Sequence, residues 1–196
     1  MKTPAFLTTT SVTLWLLFAL PAAQAQNFTN EWLITAHTGY TTIDATTKRT
    51  TNNNPWWGEH DDSNINYGLS VTYFPWGNLG VRAIYERGSN YRTSNQCPDD
   101  STCTAIAITE SGSMEHYAVT LAPEFDIYQN IFSFITLGAS RTEVAAGPFL
   151  PSYRETDLIY GIGIGIRLDY GFFISAEYQT TNSDFETLRL SAGMRF

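Results

Sequence analysis

His37, His60 and His116 are the only histidines in the chain, and they are where a search for proton-transfer chemistry begins. A Ser–His or Asp–His pair needs both side chains on one face. Ser113 stands three residues before His116, and in an extended strand that spacing sends the two side chains to opposite faces. His60 lies within Glu59-His60-Asp61-Asp62, whose residue types can bind cations; such a charged run in a loop is ordinarily solvated. No catalytic set, metal site or cofactor is expected, and the chain reads as a non-enzyme. A formal charge of −8 argues against nucleic acid as a partner.

A second set of reactive side chains is different in kind. Arg82, Glu86, Arg167, Glu177, Arg189 and Arg195 fall on the polar side of segments that alternate between apolar and small or polar residues. Their chemistry would be pairing rather than catalysis. Cys97 and Cys103 form a third set, in Gln96-Cys97-Pro98-Asp99-Asp100-Ser101-Thr102-Cys103. No histidine or further cysteine stands near enough to complete a zinc site. In an exported chain the two are expected to pair, rigidifying one loop tip without stapling the fold.

Export itself is legible. Lys2 precedes an apolar stretch from Val12 to Leu20; Pro21 breaks it and Ala23-Gln24-Ala25 provides a small-x-small cleavage site. Residues 1–25 are therefore expected to be a signal peptide and residues 26–196 the mature domain. Beyond Gln26 no apolar run reaches the roughly 20 residues of a spanning helix. Period-two alternation recurs instead. Ile65, Tyr67, Leu69, Val71 and Tyr73 alternate with Asn66, Gly68, Ser70 and Thr72; Leu158, Tyr160, Ile162, Ile164, Ile166 and Leu168 alternate with Ile159, Gly161, Gly163, Gly165 and Arg167. Eight such segments are expected, near 31–43, 64–75, 79–91, 113–125, 131–143, 156–168, 172–181 and 186–196.

The links alternate in length. Trp76-Gly77-Asn78, 126–130 and Asp169-Tyr170-Gly171 are short; 44–63, 92–112 and 144–155 are long and polar. Paired residues share a face, so the Trp76 and Asp169 turns are each expected to hold three residues. This pattern predicts an all-β, eight-stranded antiparallel transmembrane barrel with short periplasmic turns and long extracellular loops. The apolar face would be the outside. Tyr40, Tyr67, Tyr85, Tyr117, Tyr160 and Tyr178 share the outward parity at the long-loop end; Trp32, Tyr73, Trp76, Phe125, Phe172 and Phe196 mark the other end. Two aromatic girdles are the physical reading. Inside, a last hairpin centred near Ser183 sets Glu177 opposite Arg189. The Asp169–Gly171 turn sets Glu177 opposite Gly163, whose side of the lumen is expected to be empty, so that Gly163→Ser is tolerated. Arg82, Glu86, Arg167 and Arg195 would extend the network. In the long links, Thr104-Ala105-Ile106-Ala107-Ile108-Thr109 alternates, so the third and fourth strands are expected to continue above the membrane. The adjacent Trp56 and Trp57 either fold back on the barrel rim or form a contact surface.

The signal peptide, the eight segments and the ending Leu188-Arg189-Leu190-Ser191-Ala192-Gly193-Met194-Arg195-Phe196 resemble the small OmpA/OmpX-like outer-membrane β-barrel family. The terminal Phe196, with Met194 at alternate spacing before it, is similar to the signal read by the outer-membrane assembly machinery; Ser191 stands where that signal often has Gly. The resemblance implies an integral barrel of the Gram-negative outer membrane, monomeric, in contact with lipopolysaccharide, with a structural or surface-interaction role. A small porin and a surface adhesin or immune-evasion protein remain alternatives. A lipid A-modifying enzyme is less favoured, because no His-x-Ser-Asn-like stretch stands near the C-terminus. The resemblance identifies neither a host ligand nor a conducting lumen.

Overall fold

A computed structural model describes residues 30–51, 54–96, 108–145, 150, 152–182 and 185–196. The expected signal peptide, Cys97 and Cys103 lie outside the described residues. The eight strands are β1 (Glu31–Thr51), β2 (Asn54–Trp76), β3 (Leu79–Gln96), β4 (Thr109–Tyr128), β5 (Ile131–Ala145), β6 (Tyr153–Arg167), β7 (Phe172–Thr181) and β8 (Phe185–Arg195). Each pairs antiparallel with the next, and β8 returns to β1 to close the ring. Closure satisfies the backbone of every strand along the shared wall and leaves no edge there, the condition a sheet must meet to stand in hydrocarbon.

Alternation then sorts the side chains. On β8, Leu188 and Leu190 are more than half exposed, whereas Thr187, Arg189 and Ser191 are buried. Ile162, Ile164 and Ile166 on β6 point outward in the same way. The buried set is largely polar, the reverse of a soluble domain. Two apolar clusters share the interior with it. Leu33, Phe74, Phe132, Phe134 and Phe173 pack toward the short-turn end. A larger cluster including Ile43, Tyr91, Met114, Val144, Tyr153 and Phe185 packs toward the other.

The turns hold one surprise. Asp169–Gly171 is a three-residue turn, with Tyr170 at φ 62° and Gly171 at φ 81°, closed by the Leu168 N–H donating to the Phe172 carbonyl at 2.7 Å. The expected three-residue turn at Trp76 is instead a two-residue turn, Gly77-Asn78, with Trp76 paired to Leu79. Parity survives because one extra residue is inserted between Tyr73 and Trp76, a bulge that shifts the register once. A tight turn also joins β4 to β5, with Gln129 at φ 35°.

The first long link is not a loop. β1 and β2 stay paired up to Thr51 and Asn54, so residues 44–51 and 54–63 are raised strand. The β1–β8 pairing ends at Ile43 and Phe185. Beyond it, β3 continues to Gln96 and β4 begins at Thr109, after a bulge between Ser89 and Tyr91. The result is an arm built from β1 to β4 that rises past the closed ring. Alternating polar residues such as Asp44, Thr46, Glu59 and Asp61 hid this continuation, because their pattern reads equally as solvated loop.

Candidate functional site: a charged lumen and a raised arm

Glu177 and Arg189 face each other directly across β7 and β8, and Gly163 is the partner of Glu177 on β6. Arg189 Nη1 donates to Glu177 Oε2 at 3.1 Å, and Arg82 Nη1 reaches the same oxygen from β3, also at 3.1 Å. Arg189 Nε donates to Glu86. Asn66 Nδ2 donates to Glu86 Oε2 at 3.0 Å, Gln179 Nε2 donates to Glu177 Oε1 at 2.8 Å, and His37 Nε2 lies 3.0 Å from Glu86 Oε1. Two guanidinium groups thus balance two carboxylates in a fully buried cluster. Shared partners are what make such burial tolerable, since desolvating a charge is repaid only by good geometry and further hydrogen bonds. The cavity beside the Glu177–Arg189 pair measures about 10 Å³, the scale of a single water.

The expected empty space beside Gly163 does not exist. A Cβ built on Gly163 would stand 2.2 Å from Cζ of Phe134, whose ring fills the position. Arg82 in turn lies over that ring, 4.9 Å from its centroid. Gly163 is small so that an aromatic ring from β5 can cross it.

The six charged residues form two groups, not one. Arg167 and Arg195 belong to a cluster at the short-turn mouth, where Arg167 pairs with Asp126 and, at 3.0 Å, with Glu124, and Arg195 pairs with Glu124 at 2.8 Å. Arg167 lies over Phe132 and Arg195 over Phe74, each 4.5 Å from the ring centroid. Sequence reasoning missed Asn66, His37, Gln179, Glu124 and Asp126. Gln179 shares the parity of Glu177 on β7, and His37, Asn66, Glu124 and Asp126 lie on the inward faces of β1, β2 and β4, strands that carry none of the six; what was lacking for His37, Glu124 and Asp126 is which residues meet across the lumen, which neighbouring-strand register does not encode.

His60 is not in a loop either. It is a buried residue of β2, its Nδ1 is 2.9 Å from Thr93 Oγ1, and its ring lies 5.6 Å from that of Tyr153. Burial drops its pKa from 6.5 to about 4. Asp62 is committed elsewhere, accepting hydrogen bonds from the N–H groups of Ser63 and Arg92. Trp56 and Trp57, expected in a loop, are strand positions of the arm, paired with Arg49 and Lys48. Phe196 is exposed and tied to β1 through paired hydrogen bonds with Trp32, and Met194 pairs with Ile34.

On the outside, Tyr40, Tyr67, Tyr85, Tyr117, Tyr160 and Tyr178 are all exposed below the arm; Trp32, Trp76, Phe125, Phe172 and Phe196 are exposed at the opposite end. An apolar wall between two aromatic bands, closed around a filled polar lumen, defines an integral membrane β-barrel.

The chain belongs to the outer membrane protein beta-barrel domain family, whose pattern matches residues 10–196, and its location is the outer membrane. It is similar to the attachment invasion locus protein of Yersinia enterocolitica, with 32% identity over 90 residues, 43% of this chain and 51% of that protein. The chain thus spans about half the length of this curated relative. Among solved structures it resembles Ail of Yersinia pestis in complex with the heparin analogue sucrose octasulfate, with a TM-score of 0.52 at 20% identity over 86% of this chain and all of that one. It also resembles the N-terminal barrel of Pseudomonas aeruginosa OprF, with a TM-score of 0.55 at 14% identity, covering 87% of this chain and 100% of that one. OprG from the same organism gives a TM-score of 0.60 at 10% identity, covering 86% and 96%. At these identities the structural likeness speaks for the fold.

Proposed function

We propose that this outer-membrane barrel serves in surface contact, and that the arm of β1 to β4 is the contacting part. The observation that carries the reading is the arm itself. Membrane anchoring needs strands only as tall as the bilayer, yet β1 and β2 run to 21 and 23 residues, against roughly 9–11 for a spanning strand. Strand beyond the ring has no anchoring use, and it carries Lys48, Arg49, Trp56 and Trp57 outward from the membrane. Similarity to a protein named for attachment and invasion supports the same reading. The porin alternative has less support, because the lumen at the Glu177–Arg189 level holds only about 10 Å³. An enzyme has less support: His37 and Ser191 are register partners inside the barrel, but His37 turns its Nε2 to Glu86 Oε1, 3.0 Å away. Phe196 and Met194 are proposed as the assembly signal.

The test shortens the arm without disturbing the ring. Ala45 and His60 are direct partners, so replacing residues 46–59 with Asn-Gly closes the hairpin in register. Bacteria displaying the full chain should adhere to host cells, extracellular matrix or immobilised heparin, and the shortened form should lose that adhesion while retaining heat-modifiable barrel migration. No adhesion by the full chain, or equal adhesion by both, overturns the reading.

A further inference from the structure

The outer wall is interrupted by a recess. Ala83, Val119 and Ala139 are direct partners across β3, β4 and β5, forming one row in which two alanines flank a valine. The row on the turn side is bulky, with Val81, Leu121 and Leu137; the row on the arm side holds Tyr85, Tyr117 and Arg141. The dip between them is a shallow, open groove bordered by Tyr117, Arg141 and Thr156. Bulky side chains are the default for a wall facing lipid tails, so two alanines on either side of Val119 remove contact area that the wall could have used.

Directly above the groove, cations gather. Arg141 Nε and Arg154 Nε both meet Glu143 Oε1, at 2.7 and 3.0 Å, while their side chains remain 47% and 64% exposed. Arg87 pairs in register with Glu115, which pairs with Glu143. Three guanidinium groups therefore face two carboxylates on the outward surface, an excess of positive charge just beyond the Tyr85–Tyr117 ring pair. An apolar slot lies at acyl depth, with forked cations at phosphate depth over it.

We infer that this face is a specific lipid site, taking an acyl chain in the Ala83–Val119–Ala139 groove and a phosphate at Arg141 and Arg154, and that its occupant is the lipid A moiety of lipopolysaccharide. The choice follows from the side of the membrane. The site opens at the arm end, which is the outer leaflet, where the phosphate-bearing lipid is lipopolysaccharide rather than glycerophospholipid.

Native mass spectrometry of the full chain refolded in detergent tests it, with bis-phosphorylated lipid A, its dephosphorylated form and phosphatidylglycerol as probes. The wild type should hold bis-phosphorylated lipid A more tightly than either other probe. Ala83→Leu/Ala139→Leu fills the groove and should weaken that binding for both lipid A forms. Arg141→Gln/Arg154→Gln should weaken only the bis-phosphorylated form, by about tenfold or more, the loss expected for a hydrogen bond to a charged group. The arginine variant lies on the exposed surface and leaves the ring intact, so it reports even if the leucine variant fails to fold; heat-modifiable migration scores folding for both. Equal binding of phosphatidylglycerol overturns the inference. So does unchanged lipid A binding in the folded leucine variant, or an unchanged preference for phosphate in the arginine variant.

Discussion

At the scale of single residues, the lumen is governed by sharing. Glu177 Oε2 accepts from both Arg82 and Arg189, and Arg189 donates to both Glu177 and Glu86. Removing one carboxylate therefore leaves both cations a hydrogen-bond acceptor but the cluster one positive charge in excess: Arg189 keeps Glu86, and Arg82 keeps only the neutral Thr72 hydroxyl, to which its Nε donates at 3.2 Å. Glu177→Gln should cost less than the about 3–5 kcal/mol of a broken isolated buried pair. A double-mutant cycle with Arg189→Gln, read by urea unfolding in lipid, should still return a coupling of about 1 kcal/mol or more; zero coupling would remove the pair as a structural unit. Gly163 gives a sharper case. Gly163→Ala should destabilise by about 1–3 kcal/mol through overpacking against Phe134, and Phe134→Ala should recover part of that loss in the double variant. Its neighbour Ile164 points at lipid, and Ile164→Arg should cost about 2–4 kcal/mol if it sits near the midplane. The same unfolding measurement checks both, and Gly163→Ala with no cost would mean the ring does not press on that glycine.

At the scale of elements, the arm and the ring obey different rules, and His60 shows where they part. Its folded pKa, about 4, lies below the ordinary 6.5. The folded arm therefore binds fewer protons than the opened one between those values, and stability rises with pH across that window. The contribution is complete above about 6.5 and is lost as pH falls toward 4. Hydrogen exchange of the β2–β3 amides around His60 and Thr93 should quicken between pH 7 and 4.5 relative to the barrel wall, and His60→Gln should flatten the difference. A wild-type profile that tracks the wall would disconnect His60 from arm stability. Cys97 and Cys103 are proposed to pair at the β3–β4 link; thiol labelling of the non-reduced mature protein should find no free thiol, and two reactive thiols would sink the pairing. The ring elements were legible in sequence because each carries an apolar face long enough to show period two. The arm was not, because above the membrane neither face must be apolar, and alternating Thr, Asp and Lys residues look the same in strand and in loop. The bulge before the Gly77-Asn78 turn was hidden for a related reason: parity fixes whether a residue is inserted or not only when the turn length is already known.

At the scale of the whole molecule, the barrel is a soluble protein's partition turned inside out, and that inversion explains which parts of the lumen could be anticipated. Parity alone tells that Arg82, Glu86, Glu177 and Arg189 point inward, and the β7–β8 turn alone sets Glu177 against Arg189. Neither tells that Arg82 crosses the lumen to Glu177 while Arg167 and Arg195 gather on Glu124, because those contacts join strands that are not neighbours and depend on closure of the ring. Closure also decides transport. The neutral belt of two arginines and two glutamates is backed on one side by Phe134 and on the other by His116 stacked on Phe185, with ring centroids 4.3 Å apart. An ion entering from the arm would have to displace paired charges with no cavity to receive it. The full chain in a planar bilayer should therefore show no steady openings. Separating the belt should change this only when both halves are removed: Glu86→Ala/Glu177→Ala/Arg82→Ala/Arg189→Ala opens volume at one level, and discrete conductance should appear if the belt is the plug. A quadruple variant that migrates as a folded barrel yet stays silent would assign the seal to the Leu33–Phe74–Phe132–Phe134–Phe173 cluster instead. Steady wild-type openings that pass small sugars would overturn the closed-lumen reading altogether and restore the porin alternative.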